Sequence, residues 1–251
     1  MLMFEIGVIP AAGIAYRFKG YYYHSILPKV LYPLAGKPLI EYQLENMRIL
    51  GIKKVFVVVN KDDVTVEKYL ERYDRDYPKL VVIHQVKPNG LGDAILTVSN
   101  LINNPFVVIL GDDLTISKNI KDAAYYFLES GYEALQLSIL DHDKEAISRA
   151  CGIDSKNNLV TQIVEKPVNH NFLYRGIGIY FLKPSIFYEL EATPKFGGEL
   201  RLTDALTVLC ERRKLATYNI NGFNFNINTV GDLSLASRHI SIVHYNYDRQ
   251  I

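Results

Sequence analysis

An apolar run near the middle of the chain ends in two carboxylates. The segment ILGDD (109–113) places Asp112 and Asp113 directly after residues typical of a buried strand. Carboxylate oxygens at the tip of a strand are hard ligands that can hold Mg²⁺ against a triphosphate. The same pair could instead cap a turn and the helix that begins near Lys118, because Gly-Asp turns are common.

Positive charge lies near the N-terminus. The segment VIPAAGIAYRFKGYYYHSILPK (8–29) leaves an apolar run, turns through Ala-Ala-Gly, and places Arg17 and Lys29 around a tyrosine-rich insert. The loop after the first strand is where many α/β proteins hold a phosphate. Since this loop has a single glycine in its tight part, it could bind a phosphate through the two cations and the backbone, or be an ordinary connection that carries two cations.

Two later segments offer groups suited to a base and a sugar. In QVKPNGLGDA (85–94), a strand ends and turns before a helix, so that Gln85 and main-chain groups could read the edge of a base. The alternative there is a surface turn. In VEKP (164–167), Lys166 could neutralise a second phosphate and Glu165 could accept sugar hydroxyls, or the segment could be an exposed strand end.

Other nucleotide and metal motifs do not occur in the sequence. It contains no G-x4-G-K-[ST], no complete G-x-G-x-x-G, no G-x-S-x-G and no H-E-x-x-H, and its six histidines are scattered. A P-loop enzyme, a dinucleotide-binding protein, a serine hydrolase and a zinc enzyme are therefore not supported.

Strands and helices alternate through the first half of the chain. Val- and Ile-rich runs predict buried strands at 4–9, 54–60, 80–85 and 106–110. Helical apolar spacing follows them at 38–50, 62–73, 92–102 and 121–130. This alternation predicts an α/β, Rossmann-like doubly wound sheet, mostly parallel, with helices on both faces.

The second half has longer polar connections between its elements. Strands are predicted at 133–140, 159–166, 177–183 and 215–220, and helices near 184–190, 200–213 and 231–242. We expect these strands to extend the same sheet, so that 1–251 is a single domain. Its nucleotide-binding half is then about 1–130 and its sugar-binding half about 131–251. Strand ends at 10–17, 85–93 and 111–113 should share one rim.

The composition argues against several partners. Lys+Arg 28 against Asp+Glu 27 gives no global basic field that would recruit nucleic acid or an anionic membrane. The apolar runs are shorter than the ~20 residues that a membrane span needs, and the N-terminus lacks the basic region of a signal peptide. Cys151 and Cys210 have no metal-like spacing, so we expect buried thiols in a cytoplasmic protein.

The order of the segments is more specific than any one of them. AAG…R…PK, Q…P.GLGDA, LGDD, VEKP, GIGIYFLKP, GELRLTDAL and NINTVGDL follow one another from Ile6 to about Leu235. This order resembles the sugar-1-phosphate nucleotidyltransferases, most closely the glucose-1-phosphate thymidylyltransferases. The resemblance implies a nucleotide-diphospho-sugar transferase fold and Mg²⁺-dependent nucleotidyl transfer from an NTP (dTTP first, UTP next) to a hexose 1-phosphate. Glucose 1-phosphate is the first candidate acceptor, and pyrophosphate is released.

The resemblance also implies a role for individual residues. The catalytic groups would be Arg17, Lys29, Asp112 and Lys166. Nucleotide contacts would come from Ala11, Ala12, Gly13, Gln85 and Gly90. Sugar and sugar-phosphate contacts would come from Gly152, Glu165, Lys166 and Gly176. The Mg²⁺ ligands would be Asp112 with Asn226 or Asn228.

Three departures from the family's pattern bear on activity. The usual loop G-x-G-T-R reads GIAYR here, with Ala15 for the second glycine and Tyr16 for threonine. An insert contains Tyr21–Tyr23, which could stack on a base or sugar as a lid, or anchor a loop or subunit contact. The second metal-binding aspartate is replaced by Asn226 or Asn228, and a neutral amide is a weaker Mg²⁺ ligand.

Two other functions stay open from the sequence. One is a nucleotide-sensing or structural subunit of the same fold with little activity. The other is a transferase for another phosphorylated acceptor, such as cytidylyl transfer. Because no acyltransferase or hexapeptide-repeat segment is present, we do not expect a bifunctional acetyltransferase–uridylyltransferase. The expected partners are the NTP and the sugar 1-phosphate. A homo-oligomer stays open, with HYNYDRQI (244–251) as a candidate contact.

Overall fold

Strands and helices cover most of the chain that the structure describes. This computed structural model describes residues 4–13, 27–73, 78–168 and 171–247. The strands are β1 (Ile6–Pro10), β2 (Pro33–Leu34), β3 (Lys37–Pro38), β4 (Lys54–Asn60), β5 (Lys79–Gln85), β6 (Phe106–Ile109), β7 (Asp113–Ser117), β8 (Ala134–Leu140), β9 (Cys151–Lys156), β10 (Leu159–Glu165), β11 (Tyr174–Leu182), β12 (Leu215–Asn219) and β13 (Gly222–Asn226). The helices are α1 (Leu39–Ile49), α2 (Val64–Glu71), α3 (Leu91–Leu96), α4 (Ile120–Ser130), α5 (Lys144–Ser148), α6 (Ile186–Ala192), α7 (Leu202–Glu211) and α8 (Val230–Tyr247).

One mixed sheet connects the two halves of the chain. Its strand order is β5-β4-β1-β6-β11-β8-β12-β10-β9. Strands β5, β4, β1 and β6 run parallel, whereas β11 is antiparallel to both of its neighbours, β6 and β8. The α/β sheet with helices on both faces is confirmed. Its parallel part is confined to the first four strands and the β8–β12 pair, because β11 enters between β6 and β8 in the reverse direction.

Apolar clusters cover both faces of the sheet. Val8 and Ile9 are consecutive on β1 and belong to different clusters, as the alternation of side chains along a strand requires. Helices α1 and α4 add Leu44 and Phe127 to the cluster of Ile9. Helices α3 and α7 pack on the opposite face, with the cluster of Val8. The carboxyl ends of the strands are thereby held at a common edge.

A two-stranded ribbon stands beside this edge. Strands β7 and β13 pair antiparallel, with Asn226 opposite Asp113. A third apolar cluster joins the ribbon to α8, and it includes Leu114, Ile227 and Ile240. This packing fixes the residues just before β7 and just after β13 next to the sheet edge.

Most predicted elements form close to their expected limits, and several differ. The strand predicted at 54–60 is observed with those bounds. The helix predicted at 92–102 is shorter, since α3 ends at Leu96 and a 3-10 turn follows at Ser99–Leu101. The alternative in which the aspartates cap a helix near Lys118 is wrong, because Asp113 begins β7 and α4 starts at Ile120. Strands β2, β3, β7, β9 and β13 and helix α5 have no counterpart among the predicted elements.

Within the described residues, no helix is both long enough and apolar enough to cross a bilayer.

Candidate active site

A cleft opens where β1, β5 and β6 end. Its volume is about 410 Å³. Several predicted site residues line it together, namely Ala11, Ala12, Gly13, Lys29, Gln85, Gly90 and Asp112. The predicted common rim is therefore present in the described parts of its three segments.

The floor of the cleft depends on a close approach between the ends of β1 and β6. The Gly111 N–H donates to the Pro10 carbonyl at 3.2 Å. A Cβ on Gly111 would lie 2.7 Å from a methyl carbon of Val30 and 2.9 Å from the Pro10 oxygen. Glycine at 111 thus brings Asp112 up to the loop that follows β1, because no other residue fits between the two strand ends.

The loop after β1 supplies backbone to the cleft. The Ala11 N–H donates to the Val58 carbonyl at 2.7 Å, so the sheet already uses it. Ala12 is buried, and Gly13 is exposed, with none of the described residues within 4 Å of the position that a Cβ would take. The described part of the fold does not require glycine at 13, and the missing side chain suits close approach of a ligand.

Lys29 joins the cleft to the ribbon. Its Nζ lies 2.7 Å from Asp112 Oδ2 and donates to Asn228 Oδ1 at 3.1 Å. Its side chain is only 13% exposed, against 39% for that of Asp112. A partly buried ammonium is therefore fixed at the cleft wall by two oxygen ligands rather than moving freely in solvent.

Both asparagines of the predicted metal site lie beside Asp112. Asn228 Nδ2 donates to Asn226 Oδ1 at 2.8 Å, and the Ile227 N–H donates to the Asp112 carbonyl at 2.9 Å. Asn226 and Asn228 also line a second cavity, of about 250 Å³, together with Arg175. The predicted alternation is thus observed, since both amides face the same side.

The donors near Asp112 fit Mg²⁺ in type. Among the described residues, no group of three His, Cys, Asp or Glu side chains could hold a metal. A site here would consist of the Asp112 carboxylate and amide oxygen from Asn226 or Asn228. Mg²⁺ is commonly bound by one or two carboxylates, water and substrate phosphates, so this sparse oxygen set is compatible with it.

Asp113 has a different environment from its neighbour Asp112. Its carboxylate is buried and accepts hydrogen bonds from the Gly178 N–H and from Asn224 Nδ2. Arg175 Nη1 donates to Asn224 Oδ1 at 2.6 Å, and its Nε donates to Asp141 at 2.7 Å. Burial raises the pKa of Asp113 to about 6, against the opposing effects of Asn224 and Arg175. This network ties the ribbon to β11.

The residues predicted to read the base form the other end of the cleft. Gln85 is 2% exposed, and its Nε2 donates to Asp93 Oδ2 at 2.7 Å. Gly90 has a φ of +101°, and a Cβ there would lie 2.6 Å from the Leu200 carbonyl oxygen. Leu200 also accepts from the Gly92 N–H and donates to Asn89, which closes this end of the cleft. Packing alone therefore accounts for glycine at 90.

The predicted sugar-binding residues gather around Cys151. This residue pairs with Glu165 on β10 and with Gly176 on β11. A Cβ on Gly152 would clash with the Phe172 ring, and one on Gly176 with the Cys151 thiol. Burial raises the pKa of that thiol to about 12, so it is protonated at neutral pH.

Two charged groups end this region. Glu165 Oε2 accepts from the Thr203 hydroxyl at 2.7 Å. Lys166 is exposed and has a φ of +46°, a left-handed conformation that is uncommon for a residue with a side chain. Within the described chain, the four sugar-side residues do not line the 410 Å³ cleft with Lys29. The structure therefore places the residues predicted to contact the nucleotide and Asp112 in one cleft, and the predicted sugar-binding residues outside the lining of that cleft.

The comparison with protein families decides the class. The Nucleotidyl transferase family matches residues 8–232, most of the chain. The chain belongs to this family. The expected family is thereby confirmed, and a uridylyltransferase and a structure described as a glucose-1-phosphate thymidylyltransferase are among the proteins that the chain resembles.

The relatives of this chain include proteins of two kinds. It is 34% identical over 218 residues to the Bifunctional protein GlmU of Methanococcus maripaludis (strain C5), covering 84% of this chain and 49% of that protein. It therefore spans about half the length of this relative. It is 28% identical over 258 residues to the UTP--glucose-1-phosphate uridylyltransferase of Mycoplasma genitalium, covering 88% of this chain and 86% of that protein.

A solved structure is similar along nearly the whole length. UDP-glucose pyrophosphorylase complexed with UDP-glucose superposes with a TM-score of 0.82 at 26% identity. The match covers 95% of this chain and 99% of that one.

Some predicted positions of the nucleotidyl transferase lie outside the described residues. These are Arg17, the Ala15-Tyr16 pair and Tyr21–Tyr23.

Sequence reasoning missed other residues of the site. Glu199 lines the cleft, Asp93 holds Gln85, and Arg175 with Asn224 holds Asp113. The motifs GELRL and GLGDA contained a signal for Glu199 and Asp93, since both are charged residues inside segments already singled out.

Proposed function

We propose that this protein transfers a nucleotidyl group from a uracil or thymine nucleoside triphosphate to a hexose 1-phosphate, releasing pyrophosphate. UTP is the first candidate donor and glucose 1-phosphate the first acceptor. The observation that carries the proposal is the contact of Lys29 with Asp112 and Asn228 in a cleft that also contains Gln85. A cation, a metal-type carboxylate and a base-reading amide then share one binding space.

The reaction requires two polyanions to meet in line. An oxygen of the sugar phosphate attacks the α-phosphorus of the NTP and forms a new P–O bond. The bond from that phosphorus to the oxygen bridging to the β-phosphate breaks, and pyrophosphate leaves with the electron pair. The attacking oxygen is already anionic, so no strong general base is needed. The protein must therefore compensate the phosphate charges and align the attacking oxygen with the bond that breaks.

Lys29 would supply charge at the α-phosphate. Asp112 and Asn228 hold its ammonium in place, so little rearrangement is needed when a phosphate arrives. When bound by Asp112 with Asn226 or Asn228, Mg²⁺ would neutralise phosphate charge in the transition state. Arg17 and the backbone at 11–13 would contact the rest of the triphosphate, in line with the family resemblance.

The acceptor would lie toward Cys151. Glu165, positioned by Thr203, offers an oxygen acceptor for sugar hydroxyls. Lys166 would bind the sugar phosphate. Its left-handed backbone conformation costs energy, and this cost supports a functional role for the residue. Gly152 and Gly176 would form the surface beneath the sugar.

The choice of base rests on the relatives. The motifs GLGDA and GELRLTDA lean toward thymidylyl transfer, whereas the relative matched over most of its own length is named a uridylyltransferase. Uracil and thymine present the same hydrogen-bonding edge, so both remain within the proposal. The free thiols of Cys151 and Cys210 support action in a reducing compartment such as the cytoplasm.

A substrate panel tests the proposal. The protein is incubated with Mg²⁺ and each of UTP, dTTP, CTP and GTP, paired with several sugar 1-phosphates or with a phosphoalcohol, and both pyrophosphate release and nucleotide binding are measured. We expect release with UTP and dTTP, fastest with glucose 1-phosphate, and loss of release when the metal is chelated. Nucleotide binding without pyrophosphate release from any pair would overturn the proposed transferase activity and favour a nucleotide-sensing subunit. Release only with CTP and a phosphoalcohol would favour the other acceptor class.

A further inference from the structure

We propose that Asp93 is a positioning residue that selects uracil and thymine over cytosine by fixing the orientation of the Gln85 amide. The inference rests on the proposed function in that it takes the cleft to hold a nucleotide. It adds a residue that does not touch the base and a reason for the choice of base.

The geometry determines which way the amide points. Gln85 Nε2 donates to Asp93 Oδ2 at 2.7 Å. An ionised carboxylate has only acceptor atoms, so the nitrogen and not the oxygen of the amide must face Asp93. The carbonyl oxygen then lies on the branch of the amide that faces away from Asp93. Because Gln85 lines the cleft, we take this oxygen to be the group offered to a base.

The offered atom discriminates between pyrimidines. Uracil and thymine carry a hydrogen on N3, which can be donated to a carbonyl oxygen. Cytosine carries a lone pair on N3, which would face the lone pairs of the same oxygen. Reversing the amide would invert this preference, since its NH₂ group would then be presented to the base. Orientation of one side chain is therefore enough to change the base that is read.

Asp93 is itself held in place. It lies in the first turn of α3, and its Oδ1 is 4.0 Å from the ammonium of Lys195. Lys195 is 51% exposed, so this ion pair is weak. Gly90 and Gly92 pack against Leu200, which fixes the start of α3 relative to the end of β5. The carboxylate thus has a defined position beside Gln85.

The Asp93→Asn variant separates orientation from simple hydrogen bonding. The amide oxygen that the variant carries can still accept from the Gln85 nitrogen, so a purely structural role would be preserved. Its amide nitrogen can equally donate to the Gln85 oxygen, so the Gln85 amide is free to reverse. We expect the ratio of kcat/KM for UTP to that for CTP to fall about tenfold or more, mainly through a gain with CTP.

Two further variants complete the test. Gln85→Leu should lose the discrimination, and adding Asp93→Asn to it should cause no further change, because the two residues act as a unit. Lys195→Met is the matched control, which removes a charge near Asp93 and should leave the ratio as in the wild type. An unchanged ratio in Asp93→Asn, or additive effects in the double variant, would overturn the inference.

Calorimetric binding of UTP and CTP to the same variants distinguishes this inference from the proposed function. A UTP preference that disappears in Asp93→Asn, without pyrophosphate release from any variant, would sustain the inference while the proposed transfer fails. Pyrophosphate release with an unaltered preference in Asp93→Asn would do the reverse. If the wild type binds UTP and CTP equally or binds neither, the inference is wrong.

Discussion

The residues proposed to bind the nucleotide and those proposed to bind the sugar differ in how far packing within the fold accounts for their residue types. On the nucleotide side, a Cβ on Gly13 would meet none of the described residues within 4 Å, and Lys29 and Asp112 line the cleft, although Gly90 there is packed tightly against Leu200. On the sugar side, Gly152 packs against Phe172 and Gly176 against Cys151 so closely that a Cβ would clash.

This difference changes what a substitution can report. Where packing demands a glycine, its loss is felt first as lost stability, and an effect on the ligand is indirect. Where packing does not require a particular residue type, that residue type needs another explanation, and contact with a ligand is the simplest one. Gly13, Lys29 and Asp112 are therefore the sharper test of function, whereas Gly152 and Gly176, like Gly90, are the sharper test of the fold.

The largest effect is expected from Asp112→Asn. The substitution keeps the size of the side chain and an oxygen that Lys29 can reach, but removes the carboxylate proposed to hold Mg²⁺. Loss of one such charged group costs ~10²- to 10³-fold in kcat. Pyrophosphate release at saturating Mg²⁺ measures it, and thermal melting should show an intact fold. Activity within a few-fold of the wild type would show that the metal assignment is wrong.

The next effect concerns Asp113, which connects the two sides through Gly178 and Asn224. Its folded pKa is about 6 against an ordinary 3.8, mainly because of burial. The carboxyl therefore contributes most to stability below about pH 4, where it is protonated in both states. This contribution is lost as the pH rises through 6. Two pKa units correspond to about 3 kcal/mol.

Urea unfolding between pH 4 and 7, without metal, measures this effect. The free energy of unfolding of the wild type should fall with pH relative to Asp113→Asn, which cannot ionise. Asp112→Asn is the control and should still show this fall, somewhat weakened, because it retains Asp113 but loses the Asp112 charge that helps to raise the pKa of Asp113. Parallel curves for the wild type and Asp113→Asn would contradict the assignment of the buried charge.

A smaller effect is expected from the two glycines that define the comparison. Gly152→Ala forces a methyl group against the Phe172 ring, and such overpacking costs about 1–3 kcal/mol. Gly13→Ala adds a methyl that meets none of the described residues within 4 Å and should change the free energy of unfolding by about 0.5 kcal/mol or less. The same methyl should nevertheless weaken NTP binding. Equal losses of stability in the two variants would remove the distinction between the two sides.

Much of the fold could be predicted because the buried strands are continuous in Val and Ile. The strand at 54–60 was predicted with its observed bounds for this reason. Strand β9 was missed because its sequence, CGIDSK, becomes polar halfway. Strands β7 and β13 were missed because a ribbon is stabilised by pairing across the chain rather than by a local pattern.

The residues of the candidate site also divide into those whose positions could be predicted from the sequence and those whose positions could not. Strand ends converge in any sheet of this kind, so the closeness of Gly13, Gln85 and Asp112 followed from the order of elements. The contact of Asp113 with Asn224 spans 111 residues and depends on the register of the ribbon, which the sequence does not specify. Arg175 reaches the same network only because β11 reverses direction beside β6.

The smallest expected effect tests whether Glu165 serves the sugar. Thr203→Val keeps the shape of the side chain but removes the hydroxyl that donates to Glu165 at 2.7 Å. The carboxylate would then lose its anchor, and one such hydrogen bond is worth about 1 kcal/mol, roughly a fivefold change. We expect that change in the KM for glucose 1-phosphate, with kcat and the KM for UTP unaltered. Thr207→Val is the matched control one turn further along α7, since that hydroxyl donates to the Thr203 carbonyl at 2.9 Å. A change confined to the KM for UTP would move Glu165 to the nucleotide side, and with it the boundary between the two regions.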